Sequence, residues 1–252
     1  MTTASNKTQY RNSVKFMRIA MFIHKWAGLL LALQIFFWIA GGLIMSAIPL
    51  DKVHGKHLAN RDAIDSQPVT PHISLDKLIE RHPTLESIQF SRRLSHPTIT
   101  ITDANSSTVY HARTGEVMSE LTHQEVVSLA EHYYTGDGTL VTAHLIAQPP
   151  HEASRLEQPV WQVDYDDLWR TTLYIDPQSG ALHRVRSDIW RVFDFVWMLH
   201  IMDYDERSDF NNPLLIIAAS LALLFTFSGI ILLYRSFKPA FQKRIKSAAT
   251  VK

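Results

Sequence analysis

The sequence predicts an α+β protein in which two transmembrane helices flank a domain of helices and antiparallel strands. Two apolar runs, residues 26–48 and 213–234 of the 252-residue chain, contain no Asp, Glu, Lys or Arg and predict the two helices. Between them, a pattern of strand, glycine-containing turn and strand occurs twice, about 64 residues apart. This repeat predicts that the intervening domain is built from two related units.

Charged residues are sorted along the chain, although the net charge is only +1. Residues 1–48 contain five Lys or Arg and residues 213–252 contain six, and neither segment has an acidic residue. Residues 49–212 therefore hold 14 basic residues against all 24 acidic residues, a balance of −10. The chain has no cysteine, which excludes disulfides, Cys-ligated metal centres, covalently attached c-type haem and thiol nucleophiles.

Each apolar run is long enough to cross a bilayer. As helices that rise about 1.5 Å per residue, both reach roughly 33 Å, against about 30 Å for the hydrocarbon core. Short basic segments stay on the cytoplasmic side, so we expect both termini in the cytoplasm of a bacterial inner membrane and residues 49–212 in the periplasm. The first run is longer than a signal-peptide core, which favours an uncleaved anchor; a cleaved signal peptide is the alternative.

Within the predicted domain, one order of elements occurs twice: a helix followed by antiparallel strands. The helices are predicted over residues 74–81 and 122–134, the second with Thr122 as its N-cap and Glu125 in an acidic first turn. Because one small sheet cannot bury its apolar face alone, we expect the two units to pack together or to share a sheet. Hairpins are predicted at 107–117 and 171–182, and further strands at 87–92, 98–102, 140–146 and 160–165.

Residues 190–204 predict a further helix, because Trp190, Phe193, Trp197 and His200 recur at helical spacing. Two interpretations are open for this segment. It is either an amphipathic helix on the outer membrane face or an ordinary packing helix of the outer domain. Pro213 is expected at the first position of the second membrane helix.

The second strand pattern resembles a PepSY domain. The resemblance rests on P-V-W-Q-V-D-Y-D-D at residues 159–167 and T-L-Y-I-D-P-Q-S-G-A-L at residues 172–182. With H-K-W-A-G at residues 24–28, the chain resembles the PepSY-associated transmembrane family, which is related to the family that includes ferric-siderophore reductases. The resemblance implies a role in iron uptake or membrane redox.

The same resemblance implies b-type haem as a candidate cofactor. In the reductase branch, the histidine of the H-[RK]-W-x-G motif is thought to ligate haem, and His24 occupies that position. A second family histidine, in an L-H motif, corresponds to His200, although Ile201 follows it where the family has glycine. The two positions are separated by about the bilayer thickness, so a bis-histidine haem would need a second copy or a partner subunit. The alternative is that both histidines are packing or interfacial residues.

We predict a two-pass protein that presents its outer domain as a non-enzymatic binding or accessory module, with a haem-dependent electron-transfer protein as the alternative. No catalytic residue and no metal site is predicted, since H-E-x-x-H and phosphate-loop motifs are absent. Expected partners are the lipid bilayer, a membrane or periplasmic protein and a second copy, but no nucleic acid. The predicted division is a basic N-terminus at 1–25, transmembrane helix 1 at 26–48, the tandem PepSY-like domain at 49–189, a juxtamembrane segment at 190–212, transmembrane helix 2 at 213–234 and a basic tail at 235–252.

Overall fold

The computed structural model describes residues 2–63, 70–71, 73–104, 106–156 and 159–250, with side chains described between residues 15 and 237 of those ranges. The chain divides into two compact units. A helical unit comprises Met1–Ala47 with Asp194–Lys252, and a sheet unit comprises Ile48–Phe193. The predicted domain boundaries remain predictions, and the observed division falls at 47/48 and 193/194.

Two long helices dominate the helical unit: α1 (Thr2–Ala47) and α6 (Pro213–Thr250). Pro213 opens α6 as predicted, and the Asn212 side chain accepts a hydrogen bond from the Leu215 N–H at 2.9 Å, which caps the first turn. The candidate membrane spans are Lys15–Ala47 and Pro213–Phe237. Only 11% of each apolar window is buried, whereas the core helix of a soluble protein would be mostly buried, so these surfaces are suited to lipid.

The helical unit is held together along a stripe of small residues. Gly41 on α1 and both Ala218 and Ser228 on α6 are buried, as is Leu31. Small side chains allow two helix backbones to approach closely, which is how helices associate where the hydrophobic effect is weak. The shorter helix α5 (Asp188–Ile201) begins in the sheet unit and ends in the helical unit.

Two separate antiparallel sheets form the sheet unit. The first has the order β1-β2-β3 and the second β4-β5-β6-β7. Each is preceded by a helix, as the repeat predicted, which confirms the α+β class with two flanking apolar helices. The elements are α2 (Leu50–Val53), α3 (Leu75–Glu80), β1 (Leu85–Arg93), β2 (His96–Asp103), β3 (Ser107–His111), α4 (His123–Tyr133), β4 (Leu140–Ile146), a 3₁₀ turn (His151–Ala153), β5 (Val160–Tyr165), β6 (Thr172–Ile175) and β7 (Leu182–Arg186).

The two copies have the same turn at the end of their hairpins. Gly115 and Gly180 both have a φ of +74°, a left-handed conformation that side chains rarely adopt. In the first copy Tyr110 bridges to Val117 across this turn, and in the second Ile175 pairs with Leu182. Glycine is therefore required in both hairpin turns, because the backbone there is left-handed.

Each sheet packs its apolar face on its own core. In the first copy, Leu78 of α3 packs on Ile99 and Ile101 of β2, which are fully buried. In the second, the core forms between α4 and the central strands, with Leu129, Val163 and Leu173 all at 0% exposure. Helix α4 starts with the predicted Thr122 cap as a full capping box, in which Thr122 and Glu125 bond each other's backbone N–H.

Candidate functional sites

His24 lies within the first apolar span, on the side of α1 that faces α6. Its Nδ1 is 3.0 Å from Oγ of Ser228 and 3.3 Å from the carbonyl oxygen of Phe225. The imidazole also stacks on the Phe225 ring, with centroids 4.3 Å apart and planes inclined by 10°. These partners could not be predicted from nearby residues, because Ser228 is 204 positions away in the chain.

This arrangement determines which nitrogen of His24 carries the proton. The Ser228 hydroxyl donates to the Phe225 carbonyl oxygen at 2.7 Å, so its oxygen accepts from the Nδ1–H of His24. The Nε2 lone pair then has no hydrogen-bond partner among the described residues. Histidines that ligate metals commonly donate their other ring N–H to a protein oxygen in this way.

Glycines make room for the stacked rings. A Cβ at Gly229 would lie 3.0 Å from Cε1 of His24. A Cβ at Gly28 would lie 2.7 Å from Cε2 of Phe225, closer than side chains tolerate. The His24–Phe225 stack is therefore fitted into the contact between the two helices.

His200 lies in the last turn of α5, beside α1. Its Nδ1 is buried and lacks a hydrogen-bond partner within the described part of the chain, and a Cβ at Gly41 would lie 3.9 Å from it. Trp38 Nε1 donates to the His200 carbonyl oxygen at 2.8 Å. Gln34 Nε2 donates to the Leu199 carbonyl oxygen at 3.2 Å, so this amide of α1 bonds a neighbouring helix.

The two histidines predicted to bind haem are not brought together. His24 and Gly41, the neighbour of His200, are 17 positions apart on α1, or about 26 Å along the helix axis. Among the described residues, each imidazole has at least one ring nitrogen without a hydrogen-bond partner, so each histidine has a nitrogen that could hold a haem iron. A single chain therefore supplies one histidine ligand near His24 and one near His200. At each of these positions, a second copy or a partner would have to supply the second ligand of a bis-histidine haem.

A different site lies within the sheet unit: a cleft of about 490 Å³ between the first sheet and the turn that joins β6 to β7. One wall is the polar face of β1 and β2. Gln89 pairs with Thr100 across these strands, and Ser91 lies two residues along on the same face. Because Ile99 and Ile101 alternate with these residues, they point away from the cleft into the core.

The opposite wall of the cleft carries charge. Arg184 on β7 and Arg155 after the 3₁₀ turn line it, together with His183 and Asp176 of the hairpin. Sequence reasoning missed these residues, because the walls come from segments more than 50 positions apart. One local pattern does indicate where Arg184 lies. Side chains alternate between the two faces of a strand, so Arg184 lies on the face of β7 opposite that of buried Val185.

A largely buried polar cluster lies in the first copy. His82 bonds Oδ2 of Asp103 through Nδ1 at 2.6 Å and the Tyr110 hydroxyl through Nε2 at 2.8 Å. Tyr110 is only 5% exposed, so the cluster supports the core rather than a reaction. In the described ranges, no group of three His, Asp or Glu side chains converges as a metal site; His54 and His57 lie in the turn after α2.

Together, the two apolar helices and the doubled helix-and-sheet unit define a membrane protein with a PepSY-type domain between its spans, in contact with the lipid bilayer. The family model described as the PepSY-associated TM region matches residues 21–251. The chain belongs to this family. No curated protein and no solved structure matched the chain in the other two comparisons.

Proposed function

We propose that this protein is a non-enzymatic binding module of the bacterial inner membrane, which presents its sheet unit to the periplasm while both termini are cytoplasmic. The observation that carries the proposal is the polar cleft between the two copies of the repeat. Its volume is within the range of small-molecule sites, and both copies contribute to its walls. The family resemblance suggests iron uptake or membrane redox as the context.

Charge supports the proposed topology. The segment between the spans has a balance of −10, whereas both ends of the chain are free of acidic residues. Reporter fusions after Lys252 and within the sheet unit test the orientation. We expect a cytoplasmic reporter to be active at the C-terminus and a periplasmic one to be active in the sheet unit. The opposite pattern would contradict the topology.

Site-specific photo-crosslinking in native membranes tests the binding role. A photoreactive residue at Gln89, in the cleft wall, should give one adduct of defined mass, because its side chain faces the proposed ligand or partner. Arg113 is exposed and does not line the cleft, so it is the matched control position. Identical adducts from both positions, or only crosslinked pairs of this chain, would count against a cleft-centred function.

The orientation of His24 favours a second candidate: a b-type haem electron-transfer protein in which haem is held between two copies or with a partner. Its support is the Nδ1–H bond to Ser228, which leaves Nε2 available as an iron ligand. Here haem would supply one-electron chemistry, while Ser228 and Phe225 would orient the imidazole. We expect the detergent-purified protein, made with haem supplied, to absorb in the Soret region, and His24→Ala to reduce that absorbance while His132→Ala does not. A colourless wild-type preparation would eliminate this candidate.

A further inference from the structure

The cleft of the sheet unit is positively charged within an acidic segment. Its lining contains three arginines and no lysine, against one aspartate and one glutamate. The whole segment 49–212 has 14 basic and 24 acidic residues, so the balance in the cleft is opposite to that of its surroundings. A positively charged cleft raises the local concentration of negatively charged ligands.

The aspartate in the cleft forms no ion pair with Arg155 or Arg184 in the described part of the chain, because its carboxylate bonds the hairpin turn. Oδ1 of Asp176 accepts from the N–H of Ser179 at 2.6 Å, from the hydroxyl of Ser179 at 2.7 Å and from the N–H of Gln178 at 3.0 Å. Its Oδ2 is 3.5 Å from Nε2 of His183. All four contacts are to residues of the turn and of the strand that follows it.

Two of the cleft arginines lack a carboxylate partner. Among the described residues, no Asp or Glu oxygen lies within 4.0 Å of Arg155 or Arg184, whereas Arg93, Arg170 and Arg191 are all paired. The printed bond of Arg184 is to the carbonyl oxygen of its neighbour His183. Arg61 does not line the cleft but lies close enough to Arg184 to feel its charge, since partial burial, and then repulsion from Arg184, lower the pKa of Arg61.

The facing wall offers uncharged hydrogen-bonding groups. Gln89, Ser91, Thr100 and Thr102 present one amide and three hydroxyls to the cleft. Such groups can bond the remaining oxygens of a polar ligand without adding charge. The site therefore combines a cationic wall with a neutral, hydrogen-bonding wall.

We infer that this cleft binds a small polar anion, a molecule whose carboxylate or phosphate oxygens are held by Arg155 and Arg184. This inference rests on the proposed binding function and specifies the ligand class for the same cleft. Guanidinium groups hold carboxylate and phosphate oxygens through paired, charge-assisted hydrogen bonds. The cleft volume of about 490 Å³ admits a molecule of that kind with several polar groups.

Titration calorimetry of the full chain in detergent tests the inference, with citrate and inorganic phosphate as separate probes at constant ionic strength. We expect at least one probe to bind saturably. The double variant Arg155→Gln/Arg184→Gln should weaken that binding at least tenfold, whereas Arg113→Gln should leave it unchanged. Binding of citrate alone would indicate carboxylate recognition, and binding of phosphate alone would indicate phosphate recognition.

The inference is overturned if neither probe binds the wild-type protein, or if both bind the double variant equally well. A double Arg→Lys variant keeps the charge but not the paired geometry, so it should bind better than the Gln variant if the protein is folded. Circular dichroism of each variant establishes that folding. Specific crosslinking from Gln89 without binding of either anion would refute this ligand class and leave the proposed binding function in place.

Discussion

Arg93 donates a hydrogen bond to Oε1 of Glu125 at 3.0 Å, although the Arg93 residue is only 2% exposed. Arg93 ends β1 of the first copy, and Glu125 belongs to the capping box of α4 in the second. The same guanidinium donates to the carbonyl oxygens of Ser119 and Gln178. One buried side chain thus connects the two copies of the repeat.

Replacing Arg93 by Met should destabilise the sheet unit by about 2 to 3 kcal/mol, because three acceptors lose their buried donor. For a unit of this size, that corresponds to a fall in melting temperature of roughly 5 to 10 °C. Thermal unfolding of the purified protein, followed by circular dichroism, measures the change. Arg113→Met is the control at an exposed position, and equal melting temperatures for the two variants would contradict the assigned role of Arg93.

The stability of the sheet unit should depend on pH through Asp176. Burial alone would raise the pKa of this carboxyl, but hydrogen bonds from His183 and Ser179 outweigh it and hold the pKa at about 2, below the ordinary 3.8. A carboxyl whose pKa is lower in the folded than in the unfolded state stabilises the fold at pH values above its unfolded-state pKa. This stabilisation is lost as the pH falls through the folded-state pKa.

We therefore expect stability to decline between about pH 4 and pH 2, by about 2 kcal/mol from this group. Urea unfolding at a series of pH values measures the decline. Asp176→Asn should be less stable than wild type at neutral pH and should show a flatter decline in that window. A decline as steep as that of wild type would assign the acid sensitivity to other groups.

Two glycines of α1 provide a matched test of helix packing. A Cβ at Gly28 would lie 2.7 Å from the Phe225 ring, whereas a Cβ at Gly42 would meet nothing within 4 Å. Gly28→Ala should therefore force the Phe225 ring to move and lower the melting temperature of the helical unit, while Gly42→Ala should not. Thermal unfolding in one detergent compares the variants, and similar melting temperatures would indicate that α1 and α6 do not pack through Gly28.

Tyr110→Phe should cost about 1 to 3 kcal/mol, because it leaves Nε2 of buried His82 without its partner. Tyr204→Phe provides the comparison, since Tyr204 is 53% exposed and its hydroxyl is accessible to water. Chemical denaturation of both variants measures the difference in the free energy of unfolding. A cost no larger than that of Tyr204→Phe would show that the His82 cluster contributes little to stability.

Local patterns in the sequence were sufficient for the elements of the fold. Runs without charge predicted both apolar helices, and the strands predicted at 140–146 and 160–165 have the bounds observed for β4 and β5. The sites needed contacts between distant segments, which such patterns do not contain. Neither the Ser228 partner of His24 nor the presence of Gln89 and Arg184 in the lining of one cleft follows from any nearby residue, because tertiary packing alone brings these segments together.

The end of α5 has two side-chain donors from α1, Gln34 on the Leu199 carbonyl and Trp38 on the His200 carbonyl. The last carbonyl groups of a helix accept no hydrogen bond from within the helix. The bonds from Gln34 and Trp38 therefore supply donors for two of these carbonyls. Sliding α5 along α1 by a fraction of a turn would break both bonds together and leave two carbonyls among apolar side chains. The two donors on α1 therefore act as a pair that sets the axial position of the end of α5.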